Sequence, residues 1–216
     1  MSAADSLNYL QVQENPDIVK SRVWNHAGRP NREFMRSPLL HVGTERAAVQ
    51  IMSGNKPIHK MRVHPDARIH NEVFPDASAN AMHFTHSLMN KQLPSVTIAN
   101  SLPRELEKVN GFIRPEGFKT FMEMAEQYGV HRGLEALNQG KVVAYENMIE
   151  DPGAISLMVP NPNRNLRHLM TGPAHTYEML PPSTTTEEHK KLYRQVMKPR
   201  YKDYDVREVY GELGLR

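Results

Sequence analysis

Leu39-Leu40-His41-Val42-Gly43-Thr44 and Tyr145-Glu146-Asn147-Met148-Ile149-Glu150-Asp151-Pro152-Gly153-Ala154-Ile155-Ser156-Leu157-Met158-Val159 decide how this chain is read. The first is a short apolar strand that breaks at Gly43. Thr44-Glu45 then opens a helix with Ala47, Ala48, Ile51 and Met52 on one side, and Gly54-Asn55 stops it. In the second stretch, Val142-Val143-Ala144-Tyr145 leads in as a buried strand and Asp151-Pro152-Gly153 supplies a turn. Ile155, Leu157 and Val159 then alternate with Ser156 and Met158, the pattern of a half-buried strand.

Outward from these anchors, the region Ile58 to Val73 is extended and rich in histidine, and Pro75-Asp76-Ala77-Ser78 has turn composition. Asn80 to Lys91 suits a helix, Val96-Thr97-Ile98 a strand, and Asn100-Ser101 with Pro103 a new helix start. Glu116 to Tyr128 carries the clearest helical period, ended by Gly129, and Val130, Leu134 and Leu137 continue as a further turn or two.

Both ends read as arms. In residues 1–37, Asn15 and Pro16 mark a helix start, Val19 and Val23 share a face, and the sole tryptophan, Trp24, is set to dock on the domain or on a partner. Beyond Arg167, prolines lead to Thr185-Thr186-Glu187-Glu188, a capping-box pattern, and a last amphipathic turn uses Val206, Val209, Tyr210 and Leu213. The expected division is therefore an N-terminal arm at 1–37, a domain at 38–168, and a C-terminal arm with short helices at 169–216.

A chain of 216 residues with 39% hydrophobic and 24% charged residues has enough surface to bury for one independent core. A mean hydropathy of −0.61 and 16 prolines fit a domain with much loop and arm. The pI of about 9.1 accompanies a net charge of only +3, and no run of Lys and Arg forms a phosphate-tracking stripe, so nucleic acid is not an expected partner. The absence of cysteine excludes disulfides, thiolate metal sites and Cys nucleophiles. No apolar run reaches the length of a membrane span, and the first residues lack a signal-peptide core, so a soluble protein inside a cell or a virion is expected.

Taken in order, the two anchor stretches resemble the ADP-ribosyltransferase fold, especially its divergent bacteriophage members. The pattern is His41-x-Gly43-Thr44, then Tyr145-x-Asn147, the acidic turn Glu150-Asp151-Pro152-Gly153, the strand from Ser156 to Val159, and Asn161-Pro162. The resemblance covers Leu39 to Leu166 and is strong in these two patches. It implies an α+β fold with split antiparallel sheets and flanking helices, NAD as cofactor, and cofactor-binding roles for His41, Gly43, Thr44 and Tyr145. His41 would hold a ribose hydroxyl, and the backbone at Gly43 would clasp the nicotinamide amide.

Active members usually carry a Glu where this chain has Ser156, and a neutral hydroxyl stabilises a developing oxocarbenium charge far less well. Glu150 is the candidate substitute and Glu146 the second, against a reading of both as solvated turn carboxylates. Catalysis would thus rest on Glu150 and Ser156. His83 and His86, spaced i and i+3, with Asp66 or Asp76, suggest a metal site only weakly, since no recognised ligand set accompanies them, and none is expected. Nucleophile-elbow and phosphate-loop motifs are absent, and the basic cluster from Lys190 to Lys202 is diluted by acids, as on a solvated helix face.

Two functions follow. One is a phage particle-associated structural or interaction protein with weakened or lost catalysis, whose arms bind other particle proteins or a second copy. The other is an active NAD-dependent ADP-ribosyltransferase acting on a host protein or other macromolecule. The expected location is the virion or the host cytoplasm, with no membrane partner.

Overall fold

A computed structural model describes residues 7–51, 56–90, 129–173, 180–192 and 194–195. Expected features at Gly54-Asn55, Val96 to Ile98, Asn100 to Pro103, Glu116 to Tyr128 and Val206 to Leu213 lie outside them. The architecture is mixed α and β with two sheets. One sheet has the order β1-β3-β7, from Trp24–Ala27, Ile58–Val63 and Leu166–Gly172, and is antiparallel throughout. The other has the order β2-β6-β5-β4, from Leu39–Val42, Ala154–Pro160, Val142–Asn147 and Ile69–Phe74. Only its β4–β5 pair is parallel.

Strands β5 and β6 are buried along their whole length. The half-buried alternation expected for β6 is therefore replaced by a strand covered on both faces, because it lies inside the sheet with packed layers on either side. Helix α1 (Tyr9–Glu14) is closed by a capping box between Asn8 and Gln11 and buries Tyr9 and Val12. Helix α2 (Glu45–Ile51) follows β2 as expected, and α3 (Asp76–Asn90) starts where a turn was expected. There the carbonyl of Pro75 accepts the Ala79 N–H at 3.1 Å, and Asp76 complements the positive helix end. The Pro-Asp pair that reads as a turn is equally a helix start.

Helix α4 (Val130–Asn138) packs on α3 through Gly133, where any Cβ would fall 2.1 Å from the Met82 sulfur. Helix α5 (Pro162–Asn165) links β6 to β7, and α6 (Thr186–Leu192) opens on reciprocal bonds between Thr185 and Glu188. Among the described residues no helix is long and apolar enough to cross a membrane.

Among the described residues, packing and strand pairing run across the expected boundaries at 38 and 168. Leu7, Tyr9, Val12, Val19 and Trp24 belong to the main core, and the Trp24 indole donates to the Val19 carbonyl at 2.8 Å. Strand β1 pairs with β3 over its full length. Strand β7 runs past residue 168 and pairs with β3 from Leu166 to Gly172. Leu180 packs against Ala27, Ala48, Val49 and Ile58, and Ser183 bonds to Asp151. As far as they are described, both ends are integral to the fold, because each covers apolar surface that would otherwise face water.

Candidate functional site

Strand alternation assembles the site. His41 on β2 lies opposite Met158 on β6, and Ser156, two residues away on β6, lies opposite Tyr145 on β5. His41, Ser156, Tyr145 and Asn147 therefore share one face of the sheet, and Glu146 points to the other. Helix α3 lies on the first face and supplies His83. The Tyr145 hydroxyl is 2.9 Å from His41 Nδ1, and His41 Nε2 is 2.9 Å from His83 Nδ1. At the other end the Asn147 side-chain amide donates to Ser156 Oγ at 3.2 Å, and Ser156 bonds to Tyr145.

One polarity uses every hydrogen in this chain. Asn147 Oδ1 accepts the backbone N–H groups of Ile149, Glu150 and Asp151, so its NH2 faces Ser156. Ser156 then donates to Tyr145, Tyr145 donates to His41 Nδ1, and His41 donates from Nε2 to His83.

The cluster carries no charge at neutral pH. Burial, with help from His83 and His26, holds His41 well below the usual histidine range. Burial first, then neighbouring His86, lowers His83 to about 4, and burial similarly lowers His26 to about 4. The Tyr145 phenol is pushed well up by burial, then by the charges of Glu150 and Asp76. Such a relay orients hydrogen bonds and has little means of stabilising a cation.

Gly43 sits where the two sheets meet. Its N–H donates to the Asn25 carbonyl at 3.0 Å, its carbonyl accepts the Asn25 N–H at 2.8 Å, and the Asn25 side chain adds a third bond at 3.2 Å. A Cβ at Gly43 would lie 2.8 Å from Ser156 Oγ, so the residue is held to glycine by close approach. A cavity of about 90 Å³ lies here, lined by Asn25, His41, Gly43, Ala47, Tyr145 and Ser156 among others. It takes a few waters or one small planar group, well below the roughly 300 Å³ at which cofactor-sized pockets begin.

Of the residues expected to bind cofactor, His41, Gly43 and Tyr145 come together around this cavity. Thr44 does not join them: its hydroxyl accepts the Ala47 N–H at 3.1 Å as the cap of α2 and donates to Asp151 at 2.6 Å. Ser156 is central, only 2% exposed. Glu150 is at the margin, its carboxyl raised by burial and its charge felt by Tyr145. Glu146 is fully buried on the opposite face, where burial holds its carboxyl well above the usual range. Asn25 and His26 carry no expectation in the sequence as site partners, and Asn147 stands in the motif without an assigned role. The sequence shows His83 as half of a pair with His86, but helix packing turns that ring toward His41. Among the described residues no group of three or more His, Cys, Asp or Glu is disposed to hold a metal ion.

The fit to NAD is poor in this arrangement. The Gly43 groups that would clasp the nicotinamide amide are already bonded to Asn25, the cavity is too small for a dinucleotide, and Ser156 fills the floor. Comparison with protein-family models, curated proteins and solved structures gives no match.

Proposed function

We propose that this chain is a structural or interaction protein built on an ADP-ribosyltransferase-like domain whose transfer chemistry is weakened or lost, and that it serves in a phage particle. The observation that carries the reading is the double backbone bond between Gly43 and Asn25, which closes the place where the cofactor amide would bind. The neutral Ser156, buried among Asn147, Tyr145 and Gly43, supports it. The phage setting rests on the sequence resemblance alone.

An interaction role draws support from β7. Among the described residues it is one of the two outer strands of its sheet, and Leu169 and Met170 are 49% and 54% exposed on it. An open edge with apolar side chains is suited to pairing with a neighbouring chain.

The competing reading, an active transferase, draws on Glu150, whose raised carboxyl lies close enough to Tyr145 to shift the phenol. Titration of the full chain with NAD, followed by thermal shift and by turnover of labelled NAD, separates the two. The proposal expects no shift at millimolar NAD, no turnover, and self-association in light scattering. Turnover that His41→Ala and Glu150→Ala both abolish would establish the transferase, and a monodisperse monomer with protease-resistant ends would count against the particle role.

A further inference from the structure

We infer that the chain carries a second site, a polar cleft in which Arg32, Arg36 and His168 meet and which takes a phosphate-class oxyanion. The cleft has a volume of about 540 Å³ and is also lined by Asn31, Glu33 and Asn163. It shares no lining residue with the cavity at His41.

Three elements from two stretches of chain build it. Residues Glu33–Arg36 form a single 3-10 turn whose Met35 is buried, which anchors the turn and leaves Arg32 and Arg36 exposed at its two ends. Asn163 comes from α5, which packs on that turn, and His168 comes from β7. The His168 ring is fixed from behind. Its Nε2 lies 3.2 Å from Nδ1 of the fully buried His59, and the Thr171 hydroxyl is within 3.2 Å of His168 and 3.1 Å of His59. His59 in turn donates from Nε2 to the Arg29 carbonyl at 3.0 Å. With the His59 proton on Nε2, its Nδ1 accepts from His168 Nε2, so the His168 ring is held in place at the cleft wall with its own donor engaged by His59.

The charge balance points to an anion. Among the described residues neither Arg32 nor Arg36 forms an ion pair, so Glu33 is the one carboxylate set against two guanidinium groups on a concave surface. Like charges that converge in a cleft repel, and a bound anion relieves the repulsion. After the effect of burial, Arg32 and His59 lower the basicity of His168, which is the mark of a positive field at that ring. Arg32 also holds a φ of 57°, a conformation that an Asn or Gly would adopt more easily. Two guanidinium forks with the side-chain amides of Asn31 and Asn163 suit the several oxygens of a phosphate better than one carboxylate.

The oxyanion can belong to a free phosphate or to a nucleic-acid backbone. The test titrates the full chain with inorganic phosphate, pyrophosphate and a short single-stranded oligonucleotide at constant ionic strength, by calorimetry and by the His168 ring resonances. We expect saturable binding of at least one probe, with His168 shifting. The R32Q/R36Q double variant should lose about a hundredfold in affinity, as expected for two lost charge-assisted contacts. The charge-matched K190Q/K191Q variant on α6 should bind normally. Both pairs of side chains are exposed, so equal melting temperatures check that the variants fold. The probe bound most tightly identifies the source. Failure of all three at millimolar concentration, unchanged binding by R32Q/R36Q, or an equal loss in both variants would overturn the inference.

Discussion

His41 and Tyr145 are hydrogen-bonded at 2.9 Å although their strands are not neighbours, since β6 runs between β2 and β5. Two strand spacings amount to about 10 Å, so the two rings must reach toward each other over the intervening strand. They can do so because β6 presents Ser156 beneath them, and because Gly43 beside it has no side chain.

Removing the hydroxyl tests the polarity of the relay. In Tyr145→Phe, His41 Nδ1 loses its donor in a mostly buried setting, and Ser156 loses its acceptor. Urea unfolding should show a loss of about 1–3 kcal/mol. In the unaltered chain, 15N shifts of His41 should report the Nε2–H tautomer at neutral pH. An Nδ1–H tautomer would reverse the direction assigned to the chain of hydrogen bonds.

The space around Ser156 is already full, and that makes introduction of a carboxylate there a structural problem. Gly43→Ala would set a methyl 2.8 Å from Ser156 Oγ and 3.3 Å from the Ala47 Cβ. We expect a cost of about 1–3 kcal/mol, recovered in part when combined with Ser156→Ala, so that a double-mutant cycle shows coupling. Ser156→Glu should destabilise the fold and leave NAD turnover undetectable. Turnover gained in that variant would mean that the site differs from the catalytic arrangement by one residue only.

Asn147 governs the turn that carries Glu150. Its Oδ1 accepts the N–H groups of Ile149, Glu150 and Asp151 at 3.2, 2.9 and 3.1 Å. Asp151 is itself fully buried, accepting from Thr44 and from Ser183. Asn147→Leu keeps the bulk and removes the acceptor, and should cost about 3 kcal/mol in chemical denaturation. It should also speed amide exchange at residues 149–151. Unchanged exchange there would show that the turn is held by its Asp151 bonds alone.

Local patterns made much of this legible. Leu39 to Val42, Val142 to Tyr145 and Ile155 to Val159 read as strands because runs of apolar and β-branched residues do so in any context, and Thr44 and Thr185 read as caps from their neighbours. The misreadings concern partners distant in sequence. Trp24 to Ala27 is too short and polar to announce a strand, and becomes one only by pairing with Met61 to Ile58. The stretch beyond Arg167 reads as the start of an arm because prolines follow it, while the pairing of Leu166 to Gly172 with β3 is invisible in one dimension. In the site, His41, Gly43, Tyr145 and Ser156 were found by motif. Asn25, which bonds the Gly43 backbone, carries no signal in the sequence.

The histidines make stability sensitive to acid. His26 and His83 fall from 6.5 to about 4 in the folded chain, mainly through burial, and His41, His86, His59 and His168 are lowered too. A group whose folded value is depressed contributes stability that is present above its unfolded value, and that contribution is lost as pH falls through the folded one. Stability should therefore decline from about pH 6.5 downward, with most of the loss complete near pH 4. Glu146 acts in the opposite sense. Burial raises its carboxyl, so its contribution is present below 4.5 and lost as pH rises. Glu146→Gln should accordingly be more stabilising at pH 8 than at pH 4, and His83→Gln should flatten the acid limb. Melting temperatures taken across about pH 4 to 8 for the three proteins would decide it. An acid limb unchanged by His83→Gln would mean that His83 is already solvated in the folded chain and stands outside the relay with His41.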